Sequence, residues 1–309
     1  MHNPHWQNTH NHELKSLHKF KDHAGSVETV RFCPHNQNKF YSGSHDHTIK
    51  QWDVSTLQCL KTLNVHNLGV WCLDPSPTSK LLASTSPDAR VLLTDTNTDK
   101  VVMNFKGNFS KGYWVEFSND GDKLVASGMD GCIQLYDIKK GSLYKEHRMD
   151  SAIVYNSKFI SNDRILCCTS EGEILLFDDN LNVILQKKMT EHEIRSISVK
   201  DKRLFTSFYD NKVKGFDLDL ANNTVELANE FDAHLDIVNV IRTAPNCGTL
   251  FTGSKDSALH AWDLDTCAFK NNLVGHIDQI SDISIQQGGK LLVSASWDQS
   301  LRLYDISAI

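Results

Sequence analysis

Apolar residues come along this chain in short clusters of a few residues, separated by turn-forming Gly, Asn, Asp and Ser. No cluster approaches the length of a membrane-spanning helix. The 40% hydrophobic content is spread evenly, as expected of many short, half-buried strands. The punctuation between clusters is periodic. A residue pair ending in Asp recurs at Trp52-Asp53, Thr94-Asp95, Tyr136-Asp137, Phe177-Asp178, Phe216-Asp217, Trp262-Asp263 and Tyr304-Asp305, at steps of 42, 42, 41, 39, 46 and 42 residues. Six residues before each pair stands an acid: Asp46, Asp88, Asp130, Glu171, Asp210, Asp256 and Asp298. Each acid lies in a turn such as SGSHDHT or TGSKDSA between two apolar stretches, the place for a tight hairpin. The period and its hairpin turns predict an all-β chain of seven repeated units.

A third periodic element is a His near the start of most repeats: His23, His66, His192, His234 and His276. The spacing and the terminal Trp-Asp resemble the WD40 repeat family, which implies a seven-bladed β-propeller. In that family a His, a Ser/Thr of the second strand, the turn Asp and the Trp form a buried hydrogen-bonded tetrad. By position, the resemblance implies two complete tetrads, His23-Ser42-Asp46-Trp52 and His234-Thr252-Asp256-Trp262. It implies partial ones at His66-Ser84-Asp88 with Thr94, His192-Thr206-Asp210 with Phe216, and His276-Ser294-Asp298 with Tyr304. Blades three and four have no equivalent His. An Asp-His-Ser set also has the composition of a hydrolytic triad, but catalytic constellations are single and lie in clefts. Up to five copies at repeat spacing predict a structural network and no enzyme.

The expected organisation is a polar, flexible tail over residues 1–12 and one propeller over 13–309, with no linker and no second domain. The N-terminus MHNPHWQNTHNH has no apolar segment of the secretory kind. His2, His5, His10 and His12 have no rigid frame to make them a metal site. The eight Cys are scattered without a C-x-x-C pair, and adjacent Cys167 and Cys168 point to opposite faces of one strand. They read as small hydrophobes in a reducing compartment, with no disulfide, metal or cofactor. A net charge of −6 without a basic run argues against direct nucleic-acid binding. No phosphate-binding GxxxxGK or GxGxxG precedes a helix. The expected location is cytoplasmic or nuclear, with no membrane contact.

The chain ends just after Asp305, on the third strand of the last blade, so Leu14–Phe20 is expected to supply the missing outer strand and close the ring. Blade five has the shortest first hairpin, 18 residues from His192 to Asp210, and LDLANNTVELANE accounts for the 46-residue step; both read as surface variation.

One face of such a ring can be read from the register. Its positions before the turn acids are His45, Pro87, Met129, Ser170, Tyr209, Lys255 and Trp297. Its inner-strand positions include Trp71, Tyr113, Ile153, Tyr155, Arg195, Ile237 and Asn239. Of these, Trp71, Tyr113, Met129, Ile153, Tyr155, Tyr209 and Trp297 are large and apolar or aromatic, and are the expected partner-binding residues. Strand alternation places Trp114 in the core. The face is expected to capture a hydrophobic peptide or helix from a larger protein, with no need for self-association. The alternatives are a structural subunit of another large assembly, such as an axonemal one, and a reader of modified peptides with rings from Tyr113, Tyr155 and Trp297.

Within WD40 proteins, the second repeat, HNLGVWCLDPSPTSKLLASTSPDARVLLTD, and the end, LRLYDISAI, resemble the small WD-repeat subunit of the Ski complex, an RNA-exosome cofactor. Thr94 departs from the family's Trp. That resemblance implies a scaffold subunit in cytoplasmic RNA decay, bound by a helical-repeat partner through aromatic residues that map onto Trp71, Tyr113, Tyr155 and Trp297.

Overall fold

A computed structural model describes residues 13–106, 110–150 and 152–309. The expected tail over residues 1–12, with its four histidines, lies outside the described residues. The structure is a ring of seven antiparallel sheets arranged as blades. The innermost strands are Val27–Cys33, Cys72–Pro75, Gly112–Phe117, Val154–Ser161, Ile194–Lys200, Val238–Thr243 and Ile280–Ile285. Each touches the next around the ring, and the seventh touches the first.

Burial follows the layering. A middle strand such as Thr249–Ser254 is buried along its whole length, because both of its faces meet neighbouring blades. An outermost strand such as Ser142–Arg148 is almost wholly exposed. Seven apolar clusters fill the seven gaps between blades among the described residues. The aromatic of the repeated pair belongs to these clusters: Trp52 packs against blade seven, Phe177 against blade three and Tyr304 against blade six. Cys167 and Cys168 enter different clusters on opposite sides of blade four.

The periodic acid has a backbone role. The residue after it has a left-handed φ in all seven turns: His47 (73°), Ala89 (62°), Gly131 (74°), Gly172 (72°), Asn211 (70°), Ser257 (66°) and Gln299 (64°). In five turns the carboxylate accepts the backbone N–H two residues on, at Thr48, Arg90, Lys212, Ala258 and Ser300. The side chain thus supplies the hydrogen bond that a tight turn leaves open, which is why an acid marks every repeat.

The N-terminal segment divides its task between two blades. His18–Phe20 pairs antiparallel with Leu301–Asp305 and completes blade seven, as expected of the closing strand. Glu13–Lys15 instead pairs parallel with the outer strand of blade six, making that blade five-stranded. The single strand expected over Leu14–Phe20 is therefore two short ones. Phe20 is buried in the cluster between blades seven and one, so the seam is sealed by packing as well as by hydrogen bonds.

Among the described residues, four blades carry the histidine network. His23 meets Asp46 at 2.7 Å through Nδ1 and Ser42 Oγ at 2.7 Å through Nε2, and Trp52 Nε1 donates to Ser42 Oγ at 2.8 Å. His234 repeats this with Asp256 (3.2 Å) and Thr252 (2.7 Å), and Trp262 donates to Thr252 at 2.9 Å. His66 and His276 bind their acids and serines, at 3.0 and 2.8 Å and at 2.9 and 2.7 Å. Where Thr94 replaces Trp in blade two, its buried hydroxyl has no partner.

Blade five departs from the expectation. His192 is exposed, and Thr206 Oγ1 is buried with no hydrogen bond. Elsewhere the tetrad His stands five residues before the equivalent inner-strand residue, as His23 does before Glu28 and His234 before Asn239; five before Arg195 stands Thr190, so His192 is out of register. The first hairpin of blade five is nonetheless short: two residues join Ile194–Lys200 to Arg203–Phe208, where five join the corresponding strands of blades two, three, six and seven.

Candidate partner-binding face

The inner strands share one irregularity. In six blades the pairing of first and second strands slips by one residue, leaving Glu28, Tyr113, Tyr155, Arg195, Asn239 and Ser281 unpaired. In blade two the equivalent residue is Trp71, just ahead of the strand, with its N–H on Thr85 O at 3.0 Å. A bulge bends the strand locally and re-aims the extra side chain. All seven of these residues line one cavity of about 280 Å³ at the mouth of the central channel. His45 and Trp297 join them from hairpin turns, and Trp114, Asn156, Arg242 and Asp282 stand on the strands below.

The aromatic members form a connected arc. Trp297 and His45 lie 5.9 Å apart between ring centroids, and Trp71 Nε1 donates to His45 Nε2 at 3.2 Å. Trp71 meets Tyr113 at 5.5 Å, and Tyr113 meets Tyr155 at 5.3 Å, both edge to face. The Arg195 guanidinium then lies 4.4 Å over Tyr155 and 5.7 Å from Tyr209. Rings in such a chain brace each other by about 0.5–1.5 kcal/mol per pair beyond burial. Burial pushes the Tyr113 hydroxyl up to about 12, opposed by nearby Arg195.

Of the seven expected contact residues, the structure brings Trp71, Tyr113, Tyr155 and Trp297 into the cavity. Trp297 is 41% exposed and Tyr155 only 5%, so Tyr155 acts as a wall of the site and Trp297 as its rim. Tyr209, 46% exposed, reaches the arc through Arg195 without lining the cavity. Met129 and Ile153 do not line it either; Ile153 packs against the cluster between blades four and five. Ile153 stands two residues before Tyr155, just ahead of the strand, and packs in the same interface cluster as Tyr155.

Trp114 also departs from the expectation. Simple alternation puts it opposite Tyr113, but the slip between Gly112 and Trp114 lets both neighbours reach the channel. Trp114 forms part of the lining while packing on the cluster between blades two and three. The guanidinium carbons of Arg31 and Arg242 lie 5.3 and 5.7 Å from its ring. Both arginines bind Asp282, which also accepts Thr29 Oγ1 at 3.0 Å and the Val30 N–H at 3.1 Å. This buried ion cluster ties blades six, seven and one together beneath the mouth.

Of the seven bulge-equivalent lining residues, two were missed altogether, Glu28 and Ser281. Trp71, Tyr113 and Asn239 each stand 17 residues before their turn acid; the same offset from Asp298 gives Ser281, and Glu28 stands 18 before Asp46. Small, polar or acidic residues carried no aromatic signal, so the offset alone marked them. Four buried polar atoms of the lining have no hydrogen-bond partner among the described residues: Glu28 Oε1, Trp114 Nε1, Asn156 Oδ1 and Arg195 Nε. Leaving such groups unpaired costs ~1–3 kcal/mol each, which favours a partner bearing polar atoms as well as apolar ones.

The ring, its turn acids and its histidine networks agree with the sequence match. The profile of the WD domain, G-beta repeat, matches residues 14–53, 57–95, 100–137, 225–263 and 267–305, well over half of the chain. The chain belongs to the WD40 repeat family. The unmatched stretch covers blade four and most of blade five, where no histidine network forms. Among relatives, the chain is 28% identical over 190 residues to WD repeat-containing protein SL1-17 of Schistosoma mansoni, covering 59% of this chain and 63% of that protein. It is 24% identical to the target of rapamycin complex subunit wat1 of Schizosaccharomyces pombe, covering 78% and 79% respectively. It is 25% identical to human pre-mRNA-processing factor 17, covering 94% of this chain but 52% of that protein. The chain therefore spans less than two thirds of the length of some of these WD40 relatives. Among the described residues, no group of three or more His, Cys, Asp or Glu is placed to hold a metal ion.

Proposed function

We propose that this WD40 protein is a non-enzymatic scaffold subunit that docks a hydrophobic segment of a helical-repeat protein across its channel mouth, in a Ski-like assembly for RNA decay in the cytoplasm or nucleus. The observation that carries the docking face is the continuous arc from Trp297 through His45, Trp71, Tyr113 and Tyr155 to Arg195 and Tyr209. Aromatic and Arg side chains in a partly buried patch are the usual anchors of protein interfaces. The exposed apolar side chains of Leu68, Leu235 and Ile277, each in the loop leading into an inner strand, widen the apolar surface. The Ski assignment rests on the resemblance of the second repeat.

Two relatives, one named as a target of rapamycin complex subunit and one as a pre-mRNA-processing factor, support a second reading in which the same face serves another large assembly. A reader of methylated peptides is less well supported. The rings do converge, but Arg195 already covers Tyr155 and its positive charge repels a ligand cation.

The test is affinity purification of tagged wild type beside a Trp71→Ala, Tyr113→Ala, Trp297→Ala variant whose melting is checked. Recovery of a helicase and a helical-repeat protein with the wild type alone supports both the assembly and the face. Other partners lost from the variant keep the face and replace the assembly. Partners retained by a folded variant refute the face.

A further inference from the structure

Glu28 and His45 line the mouth together with Trp71 and Trp297. His45 Nε2 lies 3.2 Å from Trp71 Nε1 and also 3.2 Å from Glu28 Oε1. An imidazole nitrogen has one in-plane lone pair. If Nε2 accepts the indole N–H it carries no proton and cannot donate to Glu28, so the second contact sets two acceptors against each other. This is why Glu28 Oε1 has no hydrogen bond although a nitrogen stands beside it. Adding one proton to the couple reverses the arrangement. Whether it sits on the carboxyl or on the imidazole, it lies between Oε1 and Nε2, and Trp71 loses its acceptor.

We propose that Glu28 and His45 form a proton-operated latch on Trp71, closed when the couple is deprotonated and released when it takes up one proton. The proposal names a regulation of the docking face and rests on that reading for its biological meaning, though not for its chemistry. Trp71 is the link between the His45–Trp297 half of the arc and the Tyr113–Tyr155 half, so its release divides the face in two.

The surroundings favour proton uptake near neutral pH. Burial pushes the Glu28 carboxyl up to about 7, with the Trp297 indole opposing and the charge of Asp282 adding to the rise. Burial, and then His47 on the same turn, lower the imidazole of His45, so the carboxyl is the first to accept the proton. The charged groups facing the couple are otherwise matched. Arg31 from blade one and Arg242 from blade six bind Asp282, and Arg195 from blade five pairs with Glu193 at 2.9 Å. Tyr113 from blade three is a neutral phenol in this range. Asp46 is taken up by His23 and the Thr48 turn.

The experiment follows the Trp71 indole N–H by nitrogen-edited NMR of the full chain from about pH 5.5 to about pH 8.5. The resonance is one of six tryptophan signals, assigned by its loss in Trp71→Phe. It is expected to move through one titration centred near 7, while the tetrad indoles of Trp52 and Trp262 stay still. Glu28→Gln presents an amide N–H to His45 at every pH and should hold Trp71 at its acidic position. Glu28→Leu presents nothing and should hold it at its alkaline position through neutral pH. A wild-type resonance that does not move, or a titration with the same midpoint in Glu28→Gln, overturns the latch. Because no partner is involved, a titrating Trp71 together with partner recovery unchanged in the triple alanine variant would refute the docking face and leave the latch standing.

Discussion

Blades six, seven, one and two form a contiguous half of the ring in which a histidine bridges a turn acid and a strand hydroxyl. Blades three, four and five have no such bridge among the described residues, yet their backbone turns and strand order are the same. The difference separates what builds a blade from what reinforces it. Apolar clusters occupy every gap, including the large one between blades four and five, so packing makes the ring. The polar networks fix loops on one side of it; the family match extends to blade three, which has none, and lapses only over 138–224.

The seam tests that division most severely, since it lies inside the reinforced half. A chain shortened to 23–309 loses both N-terminal strands and Phe20. We expect it to fail to fold in soluble form, and Phe20→Ala alone to cost about 3–5 kcal/mol in denaturant unfolding. Equal melting temperatures for the full and shortened chains would refute closure by the N-terminal segment.

A smaller effect comes from exchanging polar for apolar groups in the two halves. Ser42 Oγ meets both His23 Nε2 and Trp52 Nε1, so Ser42→Ala should destabilise by ~1–3 kcal/mol. Thr206 Oγ1 is buried without a partner, so Thr206→Val, nearly the same in shape, should be neutral or stabilising by up to about 1 kcal/mol. Equal losses would show that blade five has a network after all.

The smallest expected effect is on pH dependence. Burial lowers His276 below its ordinary 6.5, so between 6.5 and its folded value the unfolded chain binds more protons and stability is lost as the pH falls. The carboxylates act in the same direction at lower pH. Burial raises the carboxyls of Asp46, Asp298 and Asp256, but hydrogen bonds and charge from His23, His276 and His234, added to those from the turn residues Thr48, Ser300 and Ala258, together outweigh it; Asp46 and Asp298 lie well below the ordinary 3.8 and Asp256 at about 2. Their contribution is complete above 3.8 and lost as the pH falls through the folded values. Hydrogen exchange during acidification should therefore rise first in blade seven and later in blades three to five. Uniform exchange would mean that the networks do not set local stability.

Much of this was legible in the chain. Seven turn acids specified seven hairpins because a left-handed turn residue needs a nearby acceptor, and that need repeats with the backbone. The mouth was legible where its residues were aromatic, as at Trp71, Tyr113, Tyr155 and Trp297. It was not legible at Trp114, because a bulge breaks the period-two rule on which inside and outside assignments depend. Nor was it at Glu28, where an acid inside a channel gives no apolar signal. His192 misled for a simpler reason, since identity without register carries little information. The split of Leu14–Phe20 into two strands depends on a parallel pairing with a distant blade that no local pattern announces.

The bulges at the mouth also bear on how such a ring can change over generations. A bulged residue is excused from strand pairing, so its side chain can be replaced while the ladder on either side keeps its bonds. Six of the seven mouth positions have this freedom, and they are the positions through which the channel meets whatever approaches it. Glu, Tyr, Tyr, Arg, Asn and Ser occupy one structural role here without disturbing the blades that hold them. Inheritance can thus vary the chemistry of the channel mouth and leave the ring's capacity to fold almost untouched.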